Sequence, residues 1–222
     1  MVKAVFVDYM GTTVDEHSPE MSEIVRRICK NSNLHDPRQV QRFILNIRRR
    51  YEADCHLGAY LTQDEIVDKL ISDMVDQIGL TDKPSALRGL IRSHWINALV
   101  FPDARAFFDQ CPIPIYIITN IGLPYMEQAL RNNGLKPAGV ISADTARAYK
   151  PRREIFDDAL RANGCTPGEV VHIGDSYDTD VMGAHGVGIR PVLLLRGRAR
   201  RHDDVDVTDG LDQALKLVFP KS

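Results

Sequence analysis

The feature that most constrains the fold is an unbroken apolar run near the N-terminus, Ala4 to Val7. Such a run, in a chain that alternates strands with helices, is typical of a central parallel strand buried on both faces. Asp8 ends the run, and open α/β sheets bind ligands outside the carboxyl ends of their strands. Gly11 and Thr12 follow where a turn must form and where backbone amides can face an anion. Asp8 is therefore a candidate site residue, with capping of the loop as the alternative.

The composition is that of an ordinary globular protein, with 44% hydrophobic and 26% charged residues among 222. The net charge of -2 and the pI near 6.4 give no basis for a nucleic-acid or anionic-membrane partner. No apolar stretch approaches the length needed to cross a bilayer, and the first strand begins too early to leave room for a signal peptide. We therefore expect a cytoplasmic protein.

The stretch 16–97 carries helical rather than strand patterns. Apolar residues recur there at helical spacing in four segments, and Thr62 to Glu65 has the form of a capping box. The predicted helices are Glu20 to Lys30, one opened by Asp36 and Pro37, one that follows Thr62 and ends at Gly79, and one from Pro84 to Trp95. We expect an all-helical domain at 16–97, inserted into a core made of 1–15 and 98–222.

From Phe101 onward, strands alternate with helices, which predicts a parallel sheet with right-handed crossovers. The predicted strands are Ile113 to Ile118, Gly139 to Ser142, Val170 to Ile173 and Ile189 to Leu195, and the predicted helices are Pro102 to Gln110, Leu123 to Asn133, Arg152 to Asn163, Thr179 to His185 and Leu211 to Phe219. The strand at Ile189 is the last clear one. Arg196 to Asp206 places a basic cluster beside an acidic one, which we interpret as a solvated loop.

Three further strand ends carry polar groups suited to an anion. Thr119 and Asn120 end one strand, Lys150 follows another, and Asp175 follows a third, with Asp180 close behind. Each has an alternative role as a helix cap or a surface residue. Because the carboxyl ends of parallel strands meet at one edge of a sheet, their joint occurrence favours a common site.

Asp8 and Asp175 form a pair of carboxylates at that predicted edge. Oxygen ligands alone suit Mg²⁺, which takes a few carboxylates together with waters and substrate phosphate. A cation also explains how two acids can lie together without one of them taking up a proton. The sequence therefore predicts a magnesium site.

The order of the motifs DYMGTTVD, IITN, YKPRREIF and IGDSYDTDVMGAHGVG resembles that of the haloacid dehalogenase superfamily of hydrolases. The resemblance covers the whole chain, because that family inserts a helical cap domain after its first motif. It implies an α/β fold with a Rossmann-like, three-layer α/β/α core around a parallel sheet. It also implies an all-helical, C1-type cap domain that moves over the site and selects a small-molecule substrate.

The resemblance also assigns roles to residues. Asp8 would be the nucleophile that forms a covalent aspartyl intermediate, and Thr119 and Lys150 would hold the transferring group. The implied Mg²⁺ ligands are Asp8, the backbone carbonyl of Met10 and Asp175, with Asp180 supporting them from behind or through water. Gly11, Thr12 and Asn120 are expected to bind substrate.

In the predicted cap, Arg48, Arg49 and Arg50 lie near a break in the helical pattern at His56. Consecutive arginines cannot share one helix face, so at most one or two can point inward. Arg49 is the candidate substrate contact, and a solvated helix face is the alternative. His94 and His172 are interpreted as structural residues.

One residue departs from the family pattern. Phosphatases of the superfamily carry a second Asp two residues after the nucleophile, where it serves as general acid and then base. Here that residue is Met10, which neither donates nor accepts a proton. Because losing such help typically costs about 10²- to 10⁴-fold in rate, an ordinary alkyl phosphomonoester is a poor candidate substrate.

Two branches of the superfamily lack that Asp. The phosphonoacetaldehyde hydrolases share the sequence GTTVD but need a cap lysine, and this chain has none between Lys30 and Lys69. The L-2-haloacid dehalogenases need no metal, because a halide leaves without a proton, yet the Gly174-Asp175 metal motif is intact here. We expect Mg²⁺-dependent phosphoryl transfer to water from a small substrate with a good leaving group. A metal-independent dehalogenase and a non-catalytic phosphate-binding protein are the alternatives. A monomer and a homodimer are both consistent with the sequence.

Overall fold

A computed structural model describes residues 1–55, 60–198 and 203–219. The described chain divides into two compact units, one made of Met1–Asp15 and Leu99–Ser222 and the other of Glu16–Ala98. The first unit holds the sheet, and the second is helical. The interpretation of the second unit as a cap over the site stays a prediction. None of the described helices is both long and apolar enough to cross a membrane.

The first unit is an α/β structure built around six parallel strands in the order β3-β2-β1-β4-β5-β6. The strands are β1 Ala4–Val7, β2 Ile115–Thr119, β3 Gly139–Ser142, β4 Val170–Gly174, β5 Arg190–Leu194 and β6 Asp206–Thr208. The central strand β1 pairs Val5 with Ile115 on one side and with Val171 on the other. The carboxyl ends of β1, β2 and β4 therefore lie side by side.

Helices of the first unit connect the strands, as parallel pairing requires. They are α5 Pro102–Gln110, α6 Leu123–Asn133, α7 Ala143–Ala146, α8 Arg153–Asn163, α9 Met182–Gly186 and α10 Leu211–Val218, with a 3₁₀ turn at Pro167–Glu169 and a π-helical turn at Tyr177–Val181. Phe6 packs with Ile155 and Phe156 of α8 on one face of the sheet. Val5 and Val7 project to the other face and are also fully buried, so the sheet is covered on both sides. This is the predicted three-layer, Rossmann-like architecture.

The second unit contains four helices, α1 Pro19–Lys30, α2 Pro37–Asp54, α3 Gln63–Ile78 and α4 Pro84–Asn97. Ser18, Asp36 and Thr62 accept backbone hydrogen bonds at the starts of the first three helices, and Thr62 and Glu65 form the predicted capping box. Gly79 ends α3 in the left-handed conformation, as predicted. His56, next to the predicted break in the pattern, lies outside the described residues.

Several sequence-based boundaries were wrong. The short β6, which pairs with β5 and extends the sheet, was not predicted. The segment from Thr179 to His185 is not one α-helix, because a π-helical turn at Tyr177–Val181 precedes α9. The second strand begins at Ile115 rather than Ile113, and α7 was not predicted. These errors concern short or polar segments in which hydrophobic periodicity carries little information.

Candidate active site

Asp8 lies immediately beyond β1, at the carboxyl edge of the sheet. Its N–H donates to the carbonyl of Ile173 at 2.9 Å, which continues the pairing with β4. Its own carbonyl accepts a 2.7 Å hydrogen bond from the Thr13 hydroxyl. These contacts fix the backbone on both sides of the Asp8 side chain, which is buried.

The turn after Asp8 brings the end of β1 against the residue that follows β4. Gly11 has a φ of +83°, and a Cβ there would lie 2.6 Å from Oδ2 of Asp175. Both the backbone conformation and the lack of space therefore require glycine. The Thr12 hydroxyl donates to Oδ1 of Asp175 at 3.3 Å. Met10, in the same turn, is partly exposed and forms an isolated backbone bridge with Val14.

Lys150 is the buried cation of the site. Its Nζ donates to Oδ1 of Asp8 and to Oδ1 of Asp180, each at 2.6 Å. Its backbone N–H donates to Oδ1 of Asn120 at 2.8 Å, and Nδ2 of Asn120 donates back to the Lys150 carbonyl at 3.5 Å. The contacts described for Asn120 thus position Lys150, while the expectation that Asn120 binds substrate stays a prediction.

Asp180 is held from several directions. His172 Nε2 lies 2.9 Å from Oδ1 of Asp180, and the Ser176 N–H donates to Oδ2 at 3.1 Å. Gly174 leaves the space that Asp180 fills, since a Cβ there would lie 2.2 Å from its Cγ. Within the described part of the chain, the Nδ1 atom of the fully buried His172 has no hydrogen-bond partner. His172 therefore contacts the acidic cluster, and its interpretation as a structural residue stays a prediction.

Three carboxylates converge at this edge. Asp8, Asp175 and Asp180 each offer an oxygen, and these atoms all lie within 4.8 Å of one another. Thr119 is buried at the end of the neighbouring β2, where its hydroxyl accepts the N–H of Ile121 at 3.1 Å. The structure therefore brings together the carboxylates, Lys150 and the Gly11 turn.

Comparisons with known proteins bear on what this arrangement is. The sequence pattern of the HAD-hydrolase-like family matches residues 148–215, which include Lys150, Asp175 and Asp180. A haloacid dehalogenase-like hydrolase domain-containing protein 2 of Bos taurus is 26% identical over 240 residues, covering 91% of this chain and 88% of that protein. These matches support the predicted resemblance to the haloacid dehalogenase superfamily of hydrolases.

Two further proteins that are similar to this chain have different catalytic activities. A glyceraldehyde 3-phosphate phosphatase of Methanothermobacter thermautotrophicus is 32% identical over 73 residues, 33% of this chain and 32% of that protein. The solved L-2-haloacid dehalogenase of Xanthobacter autotrophicus matches all of both chains with a TM-score of 0.83 at 19% identity, which shows a shared fold.

Burial and charge set the ionisation of the groups in this site. Burial raises the pKa of Asp8 to about 7, helped by the nearby Asp180 and Asp175 carboxylates and opposed by Lys150. Burial alone would also raise the pKa of Asp180, but Lys150 and His172 hold it well below its usual range. Burial alone would lower the pKa of Lys150. The Asp180 and Asp8 carboxylates outweigh burial, so the pKa of Lys150 lies above its usual value. Lys150 is thus a fixed positive charge, and Asp180 a fixed negative one.

Sequence reasoning missed two arginines of the site. The guanidinium of Arg198 donates to Oδ2 of Asp175 at 2.8 Å, and that of Arg196 donates to the Thr12 carbonyl at 2.5 Å. Arg196 also forms an ion pair with Asp103. The interpretation of this segment as a solvated loop was wrong for these two residues. A usable signal existed, since both directly follow β5, at the edge where the other site residues end their strands.

Arg49 lies in α2 of the helical unit, where its side chain is exposed. Its neighbour Arg48 pairs with Glu52, and Arg50 pairs with Asp73. Contact between Arg49 and a substrate stays a prediction. The same holds for the roles of Thr119 and Met10 in chemistry.

Proposed function

We propose that the chain hydrolyses a small phosphorylated substrate that carries a good leaving group, through a phosphoryl intermediate on Asp8 and with Mg²⁺ as cofactor. The observation that supports this most is the convergence of Asp8, Asp175 and Asp180 around Lys150, with Met10 where a general acid would stand. The cluster provides a nucleophile and oxygen ligands, while Met10, two residues after Asp8, provides no proton.

The residues present fit a magnesium ion. Three carboxylates offer oxygens within 4.8 Å of one another, and Gly11 leaves the space into which Asp175 reaches. Asp8, Asp175 and the Met10 carbonyl would hold the ion, with Asp180 contributing directly or through water. When bound, Mg²⁺ supplies positive charge that offsets the repulsion between a carboxylate and an anionic phosphoryl group.

The chain's own residues account for the transfer. Lys150 holds Oδ1 of Asp8 and thereby orients the carboxylate, which attacks phosphorus as the bond to the leaving group breaks. Thr119 accepts a hydrogen bond through its oxygen, so its hydroxyl hydrogen is available for a phosphoryl oxygen. Water then attacks phosphorus, the bond to Asp8 breaks, and the released phosphate carries the water's protons.

Met10 restricts the leaving group. A thioether cannot protonate a departing alkoxide, and the missing general acid costs about 10²- to 10⁴-fold in rate. When an acyl phosphate is attacked at phosphorus, its acyl part leaves as a stable carboxylate and needs no such proton. Acyl phosphates are therefore the substrate class that we propose first. Phosphonates rank below them, because their carbon leaving group would need a cap lysine, and the sequence has none between Lys30 and Lys69.

The test is a panel of acetyl phosphate, phosphonoacetaldehyde, p-nitrophenyl phosphate and 2-chloropropionate, each with Mg²⁺ and with EDTA. We expect Mg²⁺-dependent phosphate release that is fastest from acetyl phosphate and absent in Asp8→Asn. Phosphate release that is equal with and without metal would contradict the proposed cofactor. No turnover of any compound would favour the alternative of a phosphate-binding protein.

A metal-independent 2-haloacid dehalogenase is the second candidate. Two observations favour it: Lys150 and Arg198 already pair with the three carboxylates, and the chain shares the fold of the Xanthobacter enzyme. In that reaction Asp8 displaces halide from carbon, and water cleaves the resulting ester at its carbonyl carbon. One turnover in heavy-oxygen water would label the Asp8 carboxylate, whereas attack of water on phosphorus would label phosphate instead.

Other parts of the proposal follow from the superfamily and the sequence. The helical unit would act as the cap that selects the substrate, with Arg49 as its candidate contact. The partner is a small molecule. A cytoplasmic location and a monomeric or homodimeric state remain predictions.

A further inference from the structure

Among the three carboxylates of the acidic cluster, Asp175 is the one whose counter-ion can leave. Lys150 is buried and shared between Asp8 and Asp180, with a side chain only 3% exposed. Asp175 pairs instead with Arg198, whose side chain is 39% exposed. Ion pairs with so exposed a partner are weak, because water solvates the guanidinium well. The positive charge paired with Asp175, that of Arg198, is therefore the one that another cation can replace at small cost.

The described contacts of Asp175 occupy both of its carboxylate oxygens. Oδ1 accepts from the Thr12 hydroxyl, and Oδ2 accepts from Arg198. Thr12 is fully buried within the turn, so it cannot move away without disturbing Gly11. A divalent ion that takes an Asp175 oxygen also repels a guanidinium on the same carboxylate. Arg198 is thus the contact that gives way.

Arg196 limits how far Arg198 can then move. Its guanidinium bonds to Asp103 and to the Thr12 carbonyl, and it lies over the Phe101 ring at 3.8 Å from the centroid. Only one residue separates Arg196 from Arg198, and two residues of extended chain reach at most about 7 Å. The backbone of Arg198 therefore stays close to the anchored Arg196, and a released Arg198 guanidinium remains within one side-chain length of the cluster.

We infer that Arg198 and Mg²⁺ compete for Asp175, so that Arg198 is available to the anionic part of the substrate only in the metal-loaded site. This inference rests on the proposed function, because it assumes that Mg²⁺ binds at the cluster. It assigns Arg198 two roles: a counter-ion of Asp175 in the metal-free protein and a contact of the substrate anion in the metal-loaded one.

The first test is Mg²⁺ affinity measured by calorimetry on the full chain, without substrate. Arg198→Gln is expected to bind Mg²⁺ about fivefold more tightly than the wild type, the worth of a partly exposed ion pair. Arg198→Lys keeps the charge and should restore an affinity close to that of the wild type. Arg190→Gln is the control, since Arg190 forms a similarly exposed pair with Asp206 and should leave the affinity unchanged.

The second test is the binding of inorganic phosphate. With saturating Mg²⁺, Arg198→Gln is expected to bind phosphate about fivefold more weakly than the wild type, because it lacks the released guanidinium. Without metal, the two proteins should bind phosphate equally. Equal phosphate affinity at saturating Mg²⁺ would contradict the anion contact.

The outcomes separate this inference from the function on which it rests. Equal Mg²⁺ affinity in the wild type and in Arg198→Gln would overturn the competition and leave the proposed function standing. Tighter binding in Arg190→Gln as well would also overturn it, because any lost positive charge would then suffice. If neither the wild type nor Arg198→Gln binds Mg²⁺, the proposed cofactor falls and the competition with it.

Discussion

The two halves of the site differ in how firmly their charges are held. In the buried half, Lys150 joins Asp8 and Asp180, and the three side chains are 3%, 9% and 2% exposed. In the rim half, Arg198 holds Asp175, and Arg198 is 39% exposed. Burial strengthens a charge pair and raises the cost of breaking it, whereas exposure makes a pair exchangeable. The buried half is thus suited to orienting the nucleophile, and the rim to exchanging ligands.

Removing the buried cation Lys150 is expected to have the largest effect, because it destroys the charge pairs of the buried half. Lys150→Met leaves two carboxylates in a buried site without their shared partner, which we expect to lower the free energy of unfolding by about 3–5 kcal/mol at neutral pH. The control Lys136→Met removes an exposed lysine and should change it by less than about 0.5 kcal/mol. Urea denaturation measures both.

The pH dependence of that loss has a definite sign. Lys150 keeps the pKa of Asp180 low in the folded protein, so its stabilising effect is present above the ordinary Asp pKa of about 4 and is lost as the pH falls below it. The difference in unfolding free energy between the wild type and Lys150→Met should therefore narrow in acid. A difference independent of pH would show that lost packing, rather than charge, explains the effect.

The missing general acid is tested by Met10→Asp. If the buried half already orients the nucleophile, an added carboxyl group should raise hydrolysis of p-nitrophenyl phosphate, whereas acetyl phosphate hydrolysis should change little because its leaving group needs no proton. An alkyl phosphate should gain most, about 10²-fold. Met10→Asn has the same shape without the acid and should gain nothing. Equal gains with Met10→Asn would contradict the assigned role.

The contact between the two halves is tested by Gly11→Ala. Gly11 and Gly134 both have positive φ, at +83° and +63°, but only at Gly11 would a Cβ collide with Asp175. We expect each alanine variant to lose about 1–3 kcal/mol of stability through backbone strain. Only Gly11→Ala should also weaken Mg²⁺ binding. Weaker binding in Gly134→Ala would show that general loosening of the fold explains the effect.

The parts of the site that sequence predicted are those that follow from topology. Apolar runs locate β1 and β4, parallel pairing puts their carboxyl ends together, and Asp8 and Asp175 therefore had to be near each other. The direct ion pair of Asp180 with Lys150, and the contact with His172, depend on side-chain placement across the sheet edge. No pattern in one sequence encodes that placement.

The missed elements share a different cause. The edge strand β6 has only three residues, of which Asp206 and Thr208 are polar, so it is too short for alternation to mark it as a strand. Without β6, the preceding loop looked like a solvated tail, and the charges of Arg196 and Arg198 seemed to cancel with their sequence neighbours. Their partners Asp103 and Asp175 are distant in sequence and near only in the folded chain.

The central claim is that Asp8 carries the phosphoryl group during turnover. The measurement that tests it most directly is acid quenching of the enzyme during steady-state hydrolysis of acetyl phosphate with Mg²⁺, followed by peptide mass spectrometry. We predict one phosphoryl group on the peptide that contains Asp8, and none on that peptide in Asp8→Asn, which should retain its fold by circular dichroism and lose turnover roughly 10⁴-fold or more. Sustained turnover with an unmodified Asp8 peptide, or undiminished turnover in Asp8→Asn, would contradict the claim.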